Sequence, residues 1–310
     1  MMQIFVNAKY DFVGKRRWFY AASGGLVLVS LIWIFFVGGL NYGIDFTGGA
    51  LVQVRYEKPA SVDVVRRGLD EIKLGTAIIQ QFGDVQEYLI RLPQVGEKPD
   101  DLAKQVQAVL AKAAGGSVEI RRLEFVGPQV GRDLQLQALY AVLAGMAGIL
   151  IYVAFRFHFR DGVISVVAIA HDVIVTLGAL SLTQREMSLP VLAALLTIVG
   201  YSINDTIVVF DRIRESRAKG LRKGQTLAEL VNTAMNQTLS RTLLTSFTTF
   251  VSAIVLLIFG GEVLRDFAFA LVVGVVTGTY SSIAAASLVM DWETWSRVRT
   301  KTAGKVPAKA

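Results

Sequence analysis

The sequence predicts a polytopic α-helical membrane protein with one small α+β domain set between its first and second spans. Three observations carry this reading. Of the 310 residues, 53% are hydrophobic, and they fall in long blocks rather than at amphipathic spacing. A hydrocarbon core of about 30 Å needs roughly 20 apolar residues in a helix. Six such blocks occur, near 18–40, 134–155, 162–183, 188–210, 240–260 and 266–290. Only helices satisfy their own backbone in hydrocarbon, so these blocks are predicted helical. The one long hydrophilic stretch, 41–131, has the periodicities of strands and amphipathic helices instead.

The first block follows a short N-terminus, 1–17, and is too long for a cleaved signal peptide. It has no clearly placed cleavage site, and Trp18 and Trp33 suit interfacial anchors, so it is read as a retained first helix. After it comes "GIDFTGG" (43–49). Gly43, Asp45, Phe46, Gly48 and Gly49 form a structural motif, a backbone turn joining membrane to domain. A phosphate cradle is disfavoured because the motif precedes a strand rather than opening a helix.

Within 41–131, "GALVQVRY" (49–56) and "AIIQQFG" (77–83) read as strands flanking a helix with Val62, Val65, Leu69 and Ile72 at helical spacing. A second unit repeats the scheme: strand 87–93, helix 99–113 with Leu102, Val106 and Val109 inward, and strand 117–127. The order βαββαβ predicts a ferredoxin-like domain.

The net charge of +7 is concentrated beside the spans: Lys9, Lys15, Arg16 and Arg17; Arg156 and Arg160; Arg212, Arg214, Arg217, Lys219, Arg222 and Lys223; and Arg297, Arg299, Lys301, Lys305 and Lys309. The opposite turns carry only Arg185 and Arg265. By the positive-inside rule both termini are cytoplasmic, the 41–131 domain is extracytoplasmic, and 291–310 is a basic cytoplasmic tail. The balanced charge of 41–131 argues against a nucleic-acid partner. The inner loop 211–240 contains a capping-box pattern, Thr226 with Glu229, and an apolar face of Leu227, Leu230, Val231, Ala234 and Met235. This predicts an amphipathic helix at the cytoplasmic surface or packed on the bundle. "AGMAG" (144–148) and "GVVTG" (274–278) mark close helix approach.

There is no cysteine, the two histidines, His158 and His171, are too few for a His-based metal site, and no GxxxxGK[ST] is present. Metal, cofactor and nucleotide hydrolysis are therefore not expected, and the chain is not read as an enzyme. What remains are ionisable residues inside the spans: Asp172, Asp205 and Arg241. A mid-helix charge costs about 2.5 to 3.5 kcal/mol on insertion scales, which the surrounding apolar residues offset, so tolerance alone says nothing about function. Placement says more. Asp205 lies about 9 Å from the inner end of its span, near the depth at which Arg241 begins the next. A carboxylate flanked by Ser202 and Asn204 and opposed by an arginine suits ion coupling, whereas an interhelical structural bond for Asp205 and snorkelling for Arg241 are the plain alternatives. Asp172 suits a proton relay or a structural bond equally, through His171, Thr176 or another helix. His171 and Asp172 do not share a helical face, which argues against a His–Asp pair within this helix. An intramembrane aspartyl protease is disfavoured because the sequences read "SIND" and "IAHD", with no GxGD.

In order and spacing, "GIDFTGG", "AHDVIVT" (170–176), "GYSINDTIVVFDRIRE" (200–215), "SRTLLTSFTT" (240–249) and "LRDFAFALVVGVVTGTYSSI" (264–283) resemble the signatures of the SecF family, within the resistance-nodulation-division superfamily. The resemblance covers nearly the whole chain. It implies a six-span subunit of the bacterial inner membrane that pairs with SecD into the SecDF complex. It also implies action with SecYEG and SecA, with YajC and YidC as further partners, on unfolded preprotein in contact with membrane lipid. The implied function is to use the proton motive force to promote translocation through and release from SecYEG after SecA. The family's coupling residues map onto Asp205 and Arg241, with Asp172, Asn204 and Ser202 as further candidates and H⁺ or Na⁺ as the ion. A small-solute or lipid exporter of the same superfamily is the alternative, and a structural subunit without ion coupling a third.

Overall fold

The structure is a computed structural model describing residues 8–92, 99–156, 159–221 and 224–303. His158, Arg222, Lys223, Lys305 and Lys309 lie outside the described residues, as do the side chains of Arg297, Arg299 and Lys301. The chain divides into two compact units. One runs from Tyr42 to Ala141; the other joins the residues up to Asn41 with those from Val142 onward.

The Tyr42–Ala141 unit is built on a four-stranded sheet: β1 (Gly49–Tyr56), β2 (Ile78–Phe82), β3 (Asp84–Leu92) and β4 (Val118–Val126). Strand order is β2-β3-β1-β4, every neighbouring pair is antiparallel, and Val52 stands opposite Ile90 on one side and Leu123 on the other. The order of elements, βαββαβ, is the one that the periodicity predicts. Its two helices, Val62–Asp70 and Pro99–Ala114, pack on one face. There Val52, Val54, Tyr56, Val65, Leu69, Ile90, Leu102, Val106 and Leu110 form the core. Two expectations shift: Val62 is exposed, and Leu110 rather than Val109 is fully buried, because 102, 106 and 110 line up at the four-residue ridge spacing.

The "GIDFTGG" segment is not a plain turn. Ile44–Thr47 makes one helical turn, Thr47 Oγ1 donates to the Gly43 carbonyl at 3.1 Å, and Ile44 packs with Leu51 and Leu89. Gly48 (φ +69°) and Gly49 (φ +117°) then reverse the chain into β1 in conformations that a side chain disfavours. A Cβ on Gly131 would lie 3.1 Å from the Gly48 nitrogen, and Gln135 Nε2 donates to the Phe46 carbonyl, so the motif is clasped by residues 131–135.

Six helices among the described residues are long and apolar enough to cross a membrane. In chain order with the three helices just described they are α1 (Arg16–Ile32, continued as a π-helical turn to Val37), α5 (Pro128–Arg156), α6 (Phe159–Leu182), α7 (Leu189–Ala218), α8 (Leu227–Phe259) and α9 (Gly261–Ala303); Ile44–Thr47, Val62–Asp70 and Pro99–Ala114 are α2, α3 and α4. The last three helices extend beyond their predicted bounds for legible reasons. α7 continues past residue 210 because Arg212–Glu215 (2.6 Å) and Glu215–Lys219 (2.7 Å) pair at i,i+3 and i,i+4 along its charged end. α8 starts on the predicted Thr226–Glu229 capping box and runs through the fifth span without interruption, since neither Gly nor Pro falls inside it. α9 likewise carries much of the expected tail as helix, with no Gly or Pro between Thr279 and Ala303. The start of α8 packs on the bundle rather than lying free: Leu230, Val231, Ala234 and Met235 are buried, and Asn232 and Asn236 accept at 2.9 Å from the backbone N–H groups of Phe12 and Tyr10.

Small residues set the helix spacing. A Cβ on Gly274 would lie 2.3 Å from Ile198, and one on Gly278 3.4 Å from the Ser202 Cβ, so α9 and α7 meet backbone to side chain along this stripe. Gly178 of α6 receives Ser30 of α1 in the same way.

Candidate functional site

This close approach of α9 to α7 brings hydroxyls within reach of buried carboxylates. Asp172, at mid-α6, is fully buried. Its Oδ2 accepts from Ser202 Oγ of α7 at 2.5 Å and from Ser281 Oγ of α9 at 2.8 Å, while Oδ1 lies 2.9 Å from His171 Nδ1. Gly278 leaves room for this junction, a Cβ there falling 3.5 Å from Asp172 Oδ2. Thr176 turns its hydroxyl to the Asp172 carbonyl at 2.7 Å instead of to the carboxylate. A buried carboxylate is tolerable only with such partners. His171 and Asp172 meet without sharing a helical face: adjacent side chains point about 100° apart, and these two turn their polar ends toward each other across that gap.

Asp205, also buried, lies one helical turn beyond Ser202, about 4.5 Å along α7. It accepts from Ser246 Oγ of α8 at 3.2 Å, and Thr279 Oγ1 of α9 lies 2.7 Å from Ser246 Oγ. Thr279 Oγ1 is also 2.7 Å from the Val275 carbonyl. A hydroxyl has one proton to donate. With Asp205 ionised, the chain runs Thr279 to Ser246 to Asp205. With Asp205 protonated, the carboxyl donates to Ser246, Ser246 to Thr279, and Thr279 to the Val275 carbonyl. Both states are satisfied by rotating two hydroxyls, which is what a carboxyl that gains and loses a proton away from water requires.

The predicted residues do not all converge. Ser202 serves Asp172 rather than Asp205, and Asn204 is exposed on the far side of α7. Arg241 is exposed, and no ion pair within 4.0 Å joins it to Asp205 among the described residues. Ser246, Thr279 and Ser281 were not singled out from the sequence. The available signal was their polarity within apolar blocks, in "TSFTT" and "TGTYSSI", which is diluted by the many hydroxyl residues that bond their own helix backbone. His171 also faces Tyr280, with ring centroids 6.2 Å apart, and the Tyr280 hydroxyl donates to the Phe19 carbonyl at 2.6 Å, tying α1 to α9.

Ion pairs close both ends of the bundle: Arg16–Asp291 (3.0 Å) and Arg156–Asp211 (2.5 Å) at one, Arg185–Asp266 (2.5 Å) at the other. Among the described residues no three His, Cys, Asp or Glu side chains come together as a metal site would need.

Six apolar helices with buried, hydroxyl-bonded carboxylates define a multi-pass membrane protein with two aspartates held between helices. The chain belongs to the SecF family of SecD/SecF protein-export membrane proteins. A family model described as "Protein export membrane protein SecD/SecF, C-terminal" matches residues 105–295, and one described as "SecD/SecF GG Motif" matches 33–60, which include "GIDFTGG". Among curated relatives, the protein translocase subunit SecF of Calditerrivibrio nitroreducens is 47% identical over 283 residues, covering 91% of this chain and 93% of the relative. That of Magnetococcus marinus is 46% identical over 316 residues, covering 99% and 100%. That of Escherichia coli O157:H7 is 44% identical over 282 residues, covering 90% and 86%. Among solved structures, SecDF of Thermus thermophilus, a translocon-associated membrane protein, superposes with a TM-score of 0.82 at 42% identity. It covers 95% of this chain, while this chain spans 40% of that one.

Proposed function

We propose that this chain is one half of an ion-coupled protein-export machine. In this reading it pairs with a SecD subunit in the bacterial inner membrane and uses the proton motive force to draw preprotein outward through SecYEG after SecA has begun translocation. The match to 40% of a SecDF chain supports the pairing, since the remainder of that chain leaves room for a second subunit. Both termini are cytoplasmic, on the strength of the basic segments around Arg16, Arg156 and Arg212–Lys219. The Tyr42–Ala141 unit is then a ferredoxin-like extracytoplasmic domain, supported by its βαββαβ order and β2-β3-β1-β4 sheet. In this reading the chain acts as a translocase subunit rather than as an enzyme.

The observation that carries the coupling is the Asp205–Ser246–Thr279 chain between α7, α8 and α9, with Asp205 and Ser246 buried and Thr279 half-buried, satisfied in either protonation state. Asp205 takes up the ion, H⁺ or Na⁺, from outside; neutralisation frees it from the field of Arg241; the helices shift, and the outer domain moves with the preprotein it holds. Release inward resets the site. One elementary charge crossing 100 mV supplies about 2.3 kcal/mol, enough for a few ions per stroke to bias the diffusion of a chain.

The test is Asp205→Asn in the SecD-paired complex in proteoliposomes. Gradient-dependent export is expected to vanish while co-purification with SecD is retained; gradient-dependent export at the wild-type level would overturn the proposal.

A further inference from the structure

The two edges of the sheet in the Tyr42–Ala141 unit are built differently. Strand order β2-β3-β1-β4 leaves β2 (Ile78–Phe82) and β4 (Val118–Val126) each paired on one side only among the described residues. An edge presents a row of unpaired N–H and C=O groups, and natural proteins guard it with charge, proline or cover. β4 is guarded. It carries Glu119, Arg121, Arg122 and Glu124, ion-paired as Arg121–Glu119 (3.3 Å) and Arg122–Glu124, and Gln107 of α4 donates to its Val118 carbonyl at 2.7 Å. β2 is not. From Leu74 to Gly83 the chain reads "LGTAIIQQFG", with neither a charged residue nor a proline, and Ile78, Gln80 and Gln81 are exposed.

β2 is nevertheless held firmly in place. Ile79 packs against the core under α3 and α4, while Phe82 packs on the opposite face with Ile44, Leu51 and Leu89. Its inner side pairs with β3, Ile79 standing opposite Ile90 and Gln80 opposite Leu89. An uncharged strand of this composition, already ordered, is a template for a further strand, because little entropy is lost on its own side of the new pairing. Main-chain bonds give such a site its affinity. What can fill it is restricted, since backbone groups in folded proteins are already paired. A run of free N–H and C=O groups comes from another sheet edge or from an unfolded chain. The uncharged edge favours the unfolded chain: it offers a fixed partner no charge to complement and rejects no side chain by its sign, which suits cargo of varied sequence.

We propose that the outer edge of β2 seats an extended segment of unfolded polypeptide, the chain in transit, as a fifth strand of the sheet. This rests on the reading that the Tyr42–Ala141 unit holds preprotein, and it names the place and the chemistry: main-chain pairing along Ile78–Phe82. Helix α7 and its Asp205 take no part in it, so binding is separate from ion coupling.

The test uses the full chain in nanodiscs without an ion gradient, and reads by fluorescence anisotropy the binding of a labelled, uncharged peptide of alternating serine and valine. A peptide of alternating threonine and leucine is expected to bind within about threefold of it, and N-methylation of all internal amides, which removes main-chain donors and keeps the side chains, to weaken binding about tenfold or more. Gln80→Lys combined with Gln81→Lys, which gives the edge the charge it lacks at two exposed positions, is expected to weaken binding as much. Glu119→Lys on the opposite edge, and Asp205→Asn, are expected to bind as the wild type does, so that failure of the strand site and failure of ion coupling are told apart. Full binding of the N-methylated peptide would overturn the proposal, and this arm carries the test if the double variant does not fold. Wild-type binding in the double lysine variant, or an equal loss in Glu119→Lys, would overturn it too. Peptide is expected to stay bound when SecD is added; its displacement would assign the edge to a fixed partner and overturn the reading as a cargo site.

Discussion

Ser202 Oγ donates to Asp172 Oδ2 at 2.5 Å, one helical turn before Asp205 on the same helix. The two buried carboxylates are thus joined through α7 rather than to each other, and α9 supplies a hydroxyl to each junction, Ser281 to Asp172 and Thr279 by way of Ser246 to Asp205. The first junction holds the helices together; the second can change state.

Removing either donor to Asp172 leaves a buried carboxylate oxygen short of a partner. Ser202→Ala and Ser281→Ala are each expected to lower stability by about 1–3 kcal/mol. The double variant should deviate from the sum because both hydroxyls serve Oδ2. Thermal unfolding of the detergent-solubilised protein measures this; unchanged midpoints in both single variants would contradict the role given to Asp172.

Ser246→Ala takes away the one side-chain hydrogen bond that Asp205 makes among the described residues. Gradient-dependent export is expected to fall, with partner binding intact, and Ser246→Thr to restore it. Loss in both variants would point to packing at α8 rather than to the hydroxyl.

The α7–α9 approach depends on the missing side chain at Gly274. Gly274→Ala drives a methyl to within 2.3 Å of Ile198 and is expected to cost about 1–3 kcal/mol, as overpacked cores do. Ile198→Ala in the same chain should recover part of that loss. A double-mutant cycle by denaturant titration reads the coupling, and strict additivity would show that the helices separate freely.

In the Tyr42–Ala141 unit, burial, reinforced by Tyr88 edge-on at 5.8 Å, pushes the Tyr56 phenol well above its ordinary range near 10. The sign follows from linkage. The folded state holds the proton more tightly, so this contribution to stability is fully present below about pH 10 and is lost as pH rises above it. Among the described residues the buried Tyr56 hydroxyl has no hydrogen-bond partner, so Tyr56→Phe is expected to be neutral or stabilising by about 1 kcal/mol and to remove that alkaline sensitivity. Stability against pH, followed for the variant and wild type, checks both.

Much of the architecture is legible in the chain because its signals are local. Apolar blocks of membrane length, the alternation in 49–56 against helical spacing in 99–113, and the Thr226–Glu229 capping box each express a property of neighbouring residues, and each recurs in the structure near its predicted place. Helix ends were less legible: the ion pairs of α7 and the absence of a breaker in α8 and α9 extend helices beyond the edge of their apolar blocks.

For the site, the sequence by itself determined which residues were costly enough to require explanation: Asp172, Asp205 and Arg241, ionisable groups where hydrocarbon is expected. Only the tertiary structure decided their partners. Ser202 faces Asp172 and not Asp205, Asn204 turns away, Arg241 stays at a distance, and Ser246, Thr279 and Ser281 enter from helices far along the chain. The physical reason is that a hydrogen bond depends on a few tenths of an ångström and on which face of a helix meets its neighbour. Small residues such as Gly274 and Gly278 set that closeness across α7 and α9.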